Sequence, residues 1–232
     1  MMKTYPESVK VKVELLIDRS MRANTAFTAL TQIRKAQVDH NEAINLSTTF
    51  FGIATESLIT TLYMELSKLF ENKHGNESIP VLLDSHQKNI HQLNYGEFSS
   101  IHFISMDAKY GKLFKYDSAM DMIIHNKDQI ESHAACIERV KGLRDKYFAH
   151  YDRAAFRDLG SLFERYKVSF EEMENLLLLS SNICNDYVNM LEDKTVYPFF
   201  LQGDGLQNLI HFAEMGLQHQ RSRLSGQNLG ST

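Results

Sequence analysis

Apolar residues recur every three or four positions through most of this chain, the period that lines one face of an α-helix. Phe51, Ala54, Leu58, Leu62, Leu66 and Leu69 form one such stripe, widened by Ile59, Tyr63 and Phe70. A stripe that wide buries against more than one neighbour. Met173, Leu176, Leu177, Ser180, Ile183, Cys184, Tyr187, Val188 and Leu191 form a second, expected to pack as a core helix against the first. Only 3 prolines in 232 residues leave those runs uninterrupted, and proline is what most effectively breaks a helix. The expected fold class is all-α, an up-and-down helical bundle.

Local signals divide the pattern into elements. Thr4-Tyr5-Pro6-Glu7 reads as a capping box with proline in the first turn. The apolar positions that follow, from Val9 to Val38, fit one helix or two with a break near Asn24. Asp39 to Glu42 reads as the start of the next helix, with an acid at its cap. Gly75 is a natural stop, and Ser78-Ile79-Pro80 opens a shorter helix through Leu93. His86 and His91 on that helix lack metal-ligand spacing and read as surface residues. The stretch Asn94–Asp117 interleaves Tyr95, Phe98, Phe103, Tyr110, Phe114 and Tyr116 with Lys109, Lys112 and Lys115. Such a mixture can stack bases and hold phosphates. An inserted loop or short helix whose aromatics cover the core is the favoured reading. Ser118 to Tyr147 reads as helical, Ser169-Phe170-Glu171-Glu172 as a second capping box, and Leu206 to Gln218 as a last short helix. The domain reading is a single one over 1–219 with a disordered tail at 220–232.

Composition narrows the function classes. The net charge of -4 gives no global attraction to nucleic acid, so any RNA contact must come from a local patch. Cys136 and Cys184 lie inside helical patterns and read as buried free thiols in a reducing compartment. Met1 to Ser20 carries charges throughout, without an apolar signal region. No apolar run approaches a membrane span. The expected location is the cytoplasm. No glycine-rich phosphate loop or Cys/His metal pattern is present.

The chemistry-bearing stretch is Arg144-Asp145-Lys146-Tyr147-Phe148-Ala149-His150-Tyr151-Asp152. Arg144 offers a planar fork of charged donors for a phosphate. His150 can pass a proton near neutral pH, and Asp145 can orient either. Ile130, Ala134, Ile137, Lys141 and Arg144 step along one side of the preceding helix, so Arg144 continues the edge of an apolar face. A site or subunit interface would explain that position; a snorkelling arginine is the alternative. By spacing alone, a basic helix end whose Arg and His satisfy the last carbonyls is the simpler account. The surroundings are locally basic, with Arg139, Lys141, Lys146, Arg153 and Arg157 against Asp145, Asp152 and Asp158.

The nine-residue string resembles the Arg-x(4–6)-His signature of HEPN domains, in which a polar residue, here Asp145, follows the arginine. It looks most like the abortive-infection, AbiU-like branch of that superfamily, and the resemblance covers roughly 39–193. It implies a HEPN-type bundle, here with extra N- and C-terminal helices. It also implies a homodimer whose motifs face each other, and RNA cleavage without metal or other cofactor. His150 would act as general base or acid and Arg144 would stabilise the phosphorane, with Asp145 as orienter. The products would be a 2′,3′-cyclic phosphate and a 5′-hydroxyl. Lys146, Tyr147, Tyr151 and Arg153 are candidate RNA contacts, with packing or solvated surface as the alternative for each. An antitoxin protein is a candidate partner. Toxins paired with a nucleotidyltransferase often read Arg-x4-Ala-His-x-Tyr; here position 152 is Asp, with Tyr151 one place early. A HEPN dimer that binds RNA, nucleotide or protein without cleaving anything is the rival expectation, and a purely structural helical protein is the third.

Overall fold

The computed structural model describes residues 5–73, 75–92, 103–107, 112–116, 118–149, 159–192 and 205–227. In chain order these form α1 (Tyr5–Asp39), α2 (Asn41–Asn45), α3 (Thr48–Leu69) and α4 (Ile79–Asn89), with a 3-10 turn at Ile90–Gln92. Strands β1 (Phe103–Asp107) and β2 (Lys112–Tyr116) follow. Then come α5 (Ala119–Ser132), α6 (Ala134–Leu143), a π-helical turn (Arg144–Ala149), α7 (Leu159–Arg165), α8 (Phe170–Glu192) and α9 (Gly205–Gln227). The fold is an all-α helical bundle, as the periodicity requires, carrying one two-stranded antiparallel ribbon.

The chain divides into two compact units, one of Met1–Asn24 with Thr61–Phe199 and one of Thr25–Thr60 with Phe200–Thr232. In the first, α8 is the central helix. Leu176, Leu177, Ser180, Ile183, Tyr187 and Met190 are all almost fully buried, and a helix apolar on most of its circumference must be surrounded. Its neighbours reach it through polar side chains as well. Ser20 of α1 lies 2.9 Å from Ser180. His86 Nδ1 of α4 lies 2.9 Å from Tyr187 Oη. Asn126 of α5 donates to Asp186 at 2.9 Å, and the Tyr116 hydroxyl donates to the same carboxylate oxygen at 3.3 Å. Arg139 of α6 pairs with Glu172. Buried polar groups need such partners. α8 starts as its sequence says, with a reciprocal capping box: Ser169 N–H donates to Glu172 Oε2 at 2.8 Å and Glu172 N–H to Ser169 Oγ at 3.1 Å.

Several local expectations are settled or corrected. α1 is one helix through Asn24, because that side chain is buried and donates to the Ser20 carbonyl at 2.9 Å and to Ser181 Oγ at 3.4 Å rather than breaking the helix. Helix α1 runs on to Asp39, and His40 takes the cap of α2 without a side-chain hydrogen bond. Within Asn94–Asp117 the described residues form a ribbon with Phe103 opposite Tyr116 and Asp107 opposite Lys112, in place of a loop or short helix. The span Ser118–Tyr147 is helical as read, in two helices and a π-turn, with Ser118 Oγ accepting from Asp121 N–H at 3.1 Å at the first start. His86 is fully buried, not a surface residue, while His91 is exposed. Thr4 and Leu93 lie outside the described residues.

The second unit holds a small core of Ile33, Ala36, Ala43, Ile44, Phe51 and Ile210, backed by Leu58, Ala213 and Leu217. Two side-chain contacts fasten α9 there, His40 Nδ1 with Glu214 Oε1 at 2.5 Å and the ion pair of Arg221 with Glu42. α9 continues to Gln227, past the expected end at Gln218. Both cysteines are free and buried; burial pushes the Cys136 thiol up to about 11 and the Cys184 thiol up to about 12. Among the described residues no helix is long and apolar enough to cross a membrane.

Candidate functional site

Arg144 begins where α6 changes from α-helical to π-helical winding. Such wide turns are uncommon and recur at functional sites. Here the turn carries two adjacent rings to different neighbours. Phe148 packs on Tyr63 of α3 at 5.3 Å between centroids, and Tyr147 on Phe163 of α7 at 5.1 Å. The two rings meet edge to face at 4.9 Å. The turn is thereby anchored on both sides, which fixes the direction in which Arg144 leaves the helix.

The Arg144 side chain is 13% exposed. Its Nε donates to Asp145 Oδ1 at 2.7 Å, Nη1 to Ser67 Oγ at 3.4 Å, and Nη2 to Glu71 Oε1 at 3.5 Å. Burial works against the guanidinium charge, but the hydrogen bonds and charges of Asp145 and Glu71 outweigh it, so the pKa lies above the ordinary arginine value. Glu71 is itself held, since Asn76 Nδ2 donates to its other oxygen at 2.9 Å. Asn76 sits on a tight turn closed by its N–H to the Lys73 carbonyl at 3.1 Å. Gly75 has φ +90° in that turn, a conformation that only glycine adopts at no steric cost. The result is a relay from a glycine turn through Asn76 and Glu71 to Arg144.

An open cavity of about 470 Å³ lies beside Arg144. Its walls carry the cations Lys73, Arg139, Lys141, Arg144 and Arg165 and the acids Glu71, Glu138 and Asp145. Three of these cations are paired locally, Arg144 with Asp145 and Glu71, Arg139 with Glu172, and Lys141 with Glu138 at 2.9 Å. Tyr166 closes one side, its ring seated on Gly142 so closely that a Cβ there would lie 2.1 Å from Cε1. The absence of a side chain at Gly142 is what lets the ring reach this wall. Arg165 lies over the same ring at 5.4 Å from its centroid. The patch is cationic while the whole chain is acidic, and it presents donors and one aromatic group to whatever enters.

Of the residues singled out in the sequence, Arg144 and Asp145 are in direct contact and both line the cavity. Lys146 is exposed and Tyr147 is half-buried in the ring cluster, and neither belongs to the cavity wall. His150, Tyr151 and Arg153 lie outside the described residues. Sequence reading missed Ser67, Glu71, Lys73, Arg165 and Tyr166, which come from segments far from the motif. The one available signal was Gly142, an unexplained glycine in a helical run. Among the described residues no three His, Cys, Asp or Glu side chains cluster as a metal site.

The family model for HEPN AbiU2 matches residues 8–209. No curated protein and no solved structure matches the chain. The matched span includes the whole of the Arg144–His150 motif and every wall of the cavity beside it. The chain belongs to the AbiU2 family of HEPN proteins.

Proposed function

We propose that this chain is a metal-independent endoribonuclease of abortive-infection or toxin–antitoxin defence, acting as a homodimer in the cytoplasm. The observation that carries the reading is a nearly buried Arg144, held in a fixed direction by Asp145, Ser67 and Glu71 at the edge of a cationic cavity. A preoriented guanidinium acts on charge that develops in a transition state without reorganising first. His150 then takes the proton from a ribose 2′-hydroxyl, or gives one to the departing 5′-oxygen, with water carrying the other proton. The hydroxyl oxygen bonds to phosphorus, the P–O5′ bond breaks, and the products are a 2′,3′-cyclic phosphate and a 5′-hydroxyl. Asp145 orients Arg144 in this scheme, and its contact with the guanidinium is the support for that role. The test is cleavage of RNA by the purified chain in the presence of a chelator, with His150→Ala as control.

One observation favours a second reading, a HEPN module that binds RNA, a nucleotide or a partner protein such as an antitoxin without cutting. Asp145 and Glu71 already compensate the Arg144 charge, so an incoming phosphate has to displace or share that pairing. RNA binding by wild type with no cleavage, unchanged in His150→Ala, would favour this reading.

A further inference from the structure

We infer that the cavity wall formed by Tyr166, Arg165 and Lys73 is a subsite for one unpaired nucleotide of single-stranded RNA, next to the position where Arg144 would engage the scissile phosphate. The inference rests on the ribonuclease reading for its choice of ligand and on the wall itself for the rest. Arg139 and Lys141 are matched by Glu172 and Glu138. Lys73 and Arg165 line the same space and have no acidic partner among the described residues. A cation without a counter-charge beside an open cavity is suited to a backbone phosphate, whose binding releases condensed counterions. Tyr166 supplies the other half. Its ring is braced from behind by the bare backbone of Gly142 and carries the Arg165 guanidinium over it. Rings and guanidinium planes are the surfaces on which splayed RNA bases stack. A base packed on this pair would leave its own phosphate near Lys73 and the next one towards Arg144. A duplex cannot present an unstacked base in this way, so the subsite selects loops and single strands.

The probe is a fully 2′-O-methylated single-stranded oligoribonucleotide, which has no free 2′-hydroxyl and cannot be cleaved by transesterification. Its binding to the full-length protein is followed by fluorescence anisotropy across a salt series. Tyr166→Leu should weaken binding about 5- to 100-fold, the range for losing one base–aromatic stack, and Tyr166→Phe, which keeps the ring, should restore most of it. An oligomer of the same length without bases should be bound equally by wild type and Tyr166→Leu. Lys73→Ala and Arg165→Ala should each lower the slope of log affinity against log salt by about 0.7, the single-strand value for one phosphate. Gly142→Ala should reproduce Tyr166→Leu by pushing the ring off the wall. Melting curves identify any variant that fails to fold, and Arg165→Ala, at an exposed position, keeps the test informative in that case. Equal affinity and equal salt slope for wild type, Tyr166→Leu and Arg165→Ala would overturn the subsite, as would absence of RNA binding by wild type. If wild type cleaves RNA and these variants bind as it does, the subsite falls and the cleavage reading stands. If nothing is cleaved but the variants bind more weakly, the reverse holds.

Discussion

Arg144 is held by more partners than a phosphate-binding arginine needs, and its removal therefore has two consequences. Arg144→Ala should lower RNA cleavage by about 10²–10³, the cost of losing one oriented charge-stabilising group. It should also lower stability by about 1 kcal/mol, because Glu71 is half-buried and loses a charged hydrogen-bond partner. His150→Ala should lower cleavage by about 10²–10⁴. Initial rates and denaturant midpoints, measured on the same preparations, separate the two effects. An Arg144→Ala protein that is destabilised yet cleaves normally would make the arginine structural. His86 supports a different prediction. Burial lowers its pKa from 6.5 to about 4. The folded state therefore keeps a neutral imidazole while the unfolded chain takes up a proton as pH falls below about 6.5. Stability should decline between about pH 6.5 and 4, and His86→Gln should flatten that part of the profile of unfolding free energy against pH. The sequence did not reveal this residue, because its burying partner Tyr187 is 101 positions away. The Arg144–Asp145 contact was legible, since the residues are adjacent. Glu71, Ser67 and Tyr166 were not, since only packing brings them there.

At the scale of elements, what was legible is what local chemistry decides. The box at Ser169 and Glu172 depends on residues three apart and forms as read. Ser169→Ala should cost about 0.5–2 kcal/mol, measured as a fall in the denaturant midpoint. The backbone N–H of Ser169 holds the Glu172 carboxyl below its usual range; burial opposes this, and Arg139 adds to it. That stabilisation is fully present above the ordinary glutamate value and is lost as pH falls through the lower folded value. Glu172→Gln should remove this acid-limb dependence. The ribbon of β1 and β2 was not legible. Phe103-Ile104 and Leu113-Phe114 favour strands, but five-residue runs without strict alternation look much like loop aromatics over a core. The split of Ser118–Tyr147 at His133 was equally hidden, because a short irregularity does not disturb the apolar period on either side.

For the whole molecule, the helical class was readable from period and proline content, and the family from the motif. The division into two compact units was not, because α1 and α3 each contribute to both without any break in their apolar pattern. The proposed function adds an assembly. The protein should be a dimer with Arg144 and His150 of each chain near the two-fold axis, so light scattering at micromolar concentration should give twice the mass of the 26.7 kDa chain. A monomer that still cleaves RNA would remove the interface from the mechanism. The decisive experiment incubates purified protein with RNA in excess EDTA, beside His150→Ala, and analyses the end groups of the products. Metal-independent transesterification at Arg144 and His150 should give cleavage that the chelator leaves unchanged, ends carrying 2′,3′-cyclic phosphate and 5′-hydroxyl, and loss of activity in the variant. Cleavage abolished by EDTA, a 5′-phosphate product, or undiminished activity in His150→Ala would contradict it.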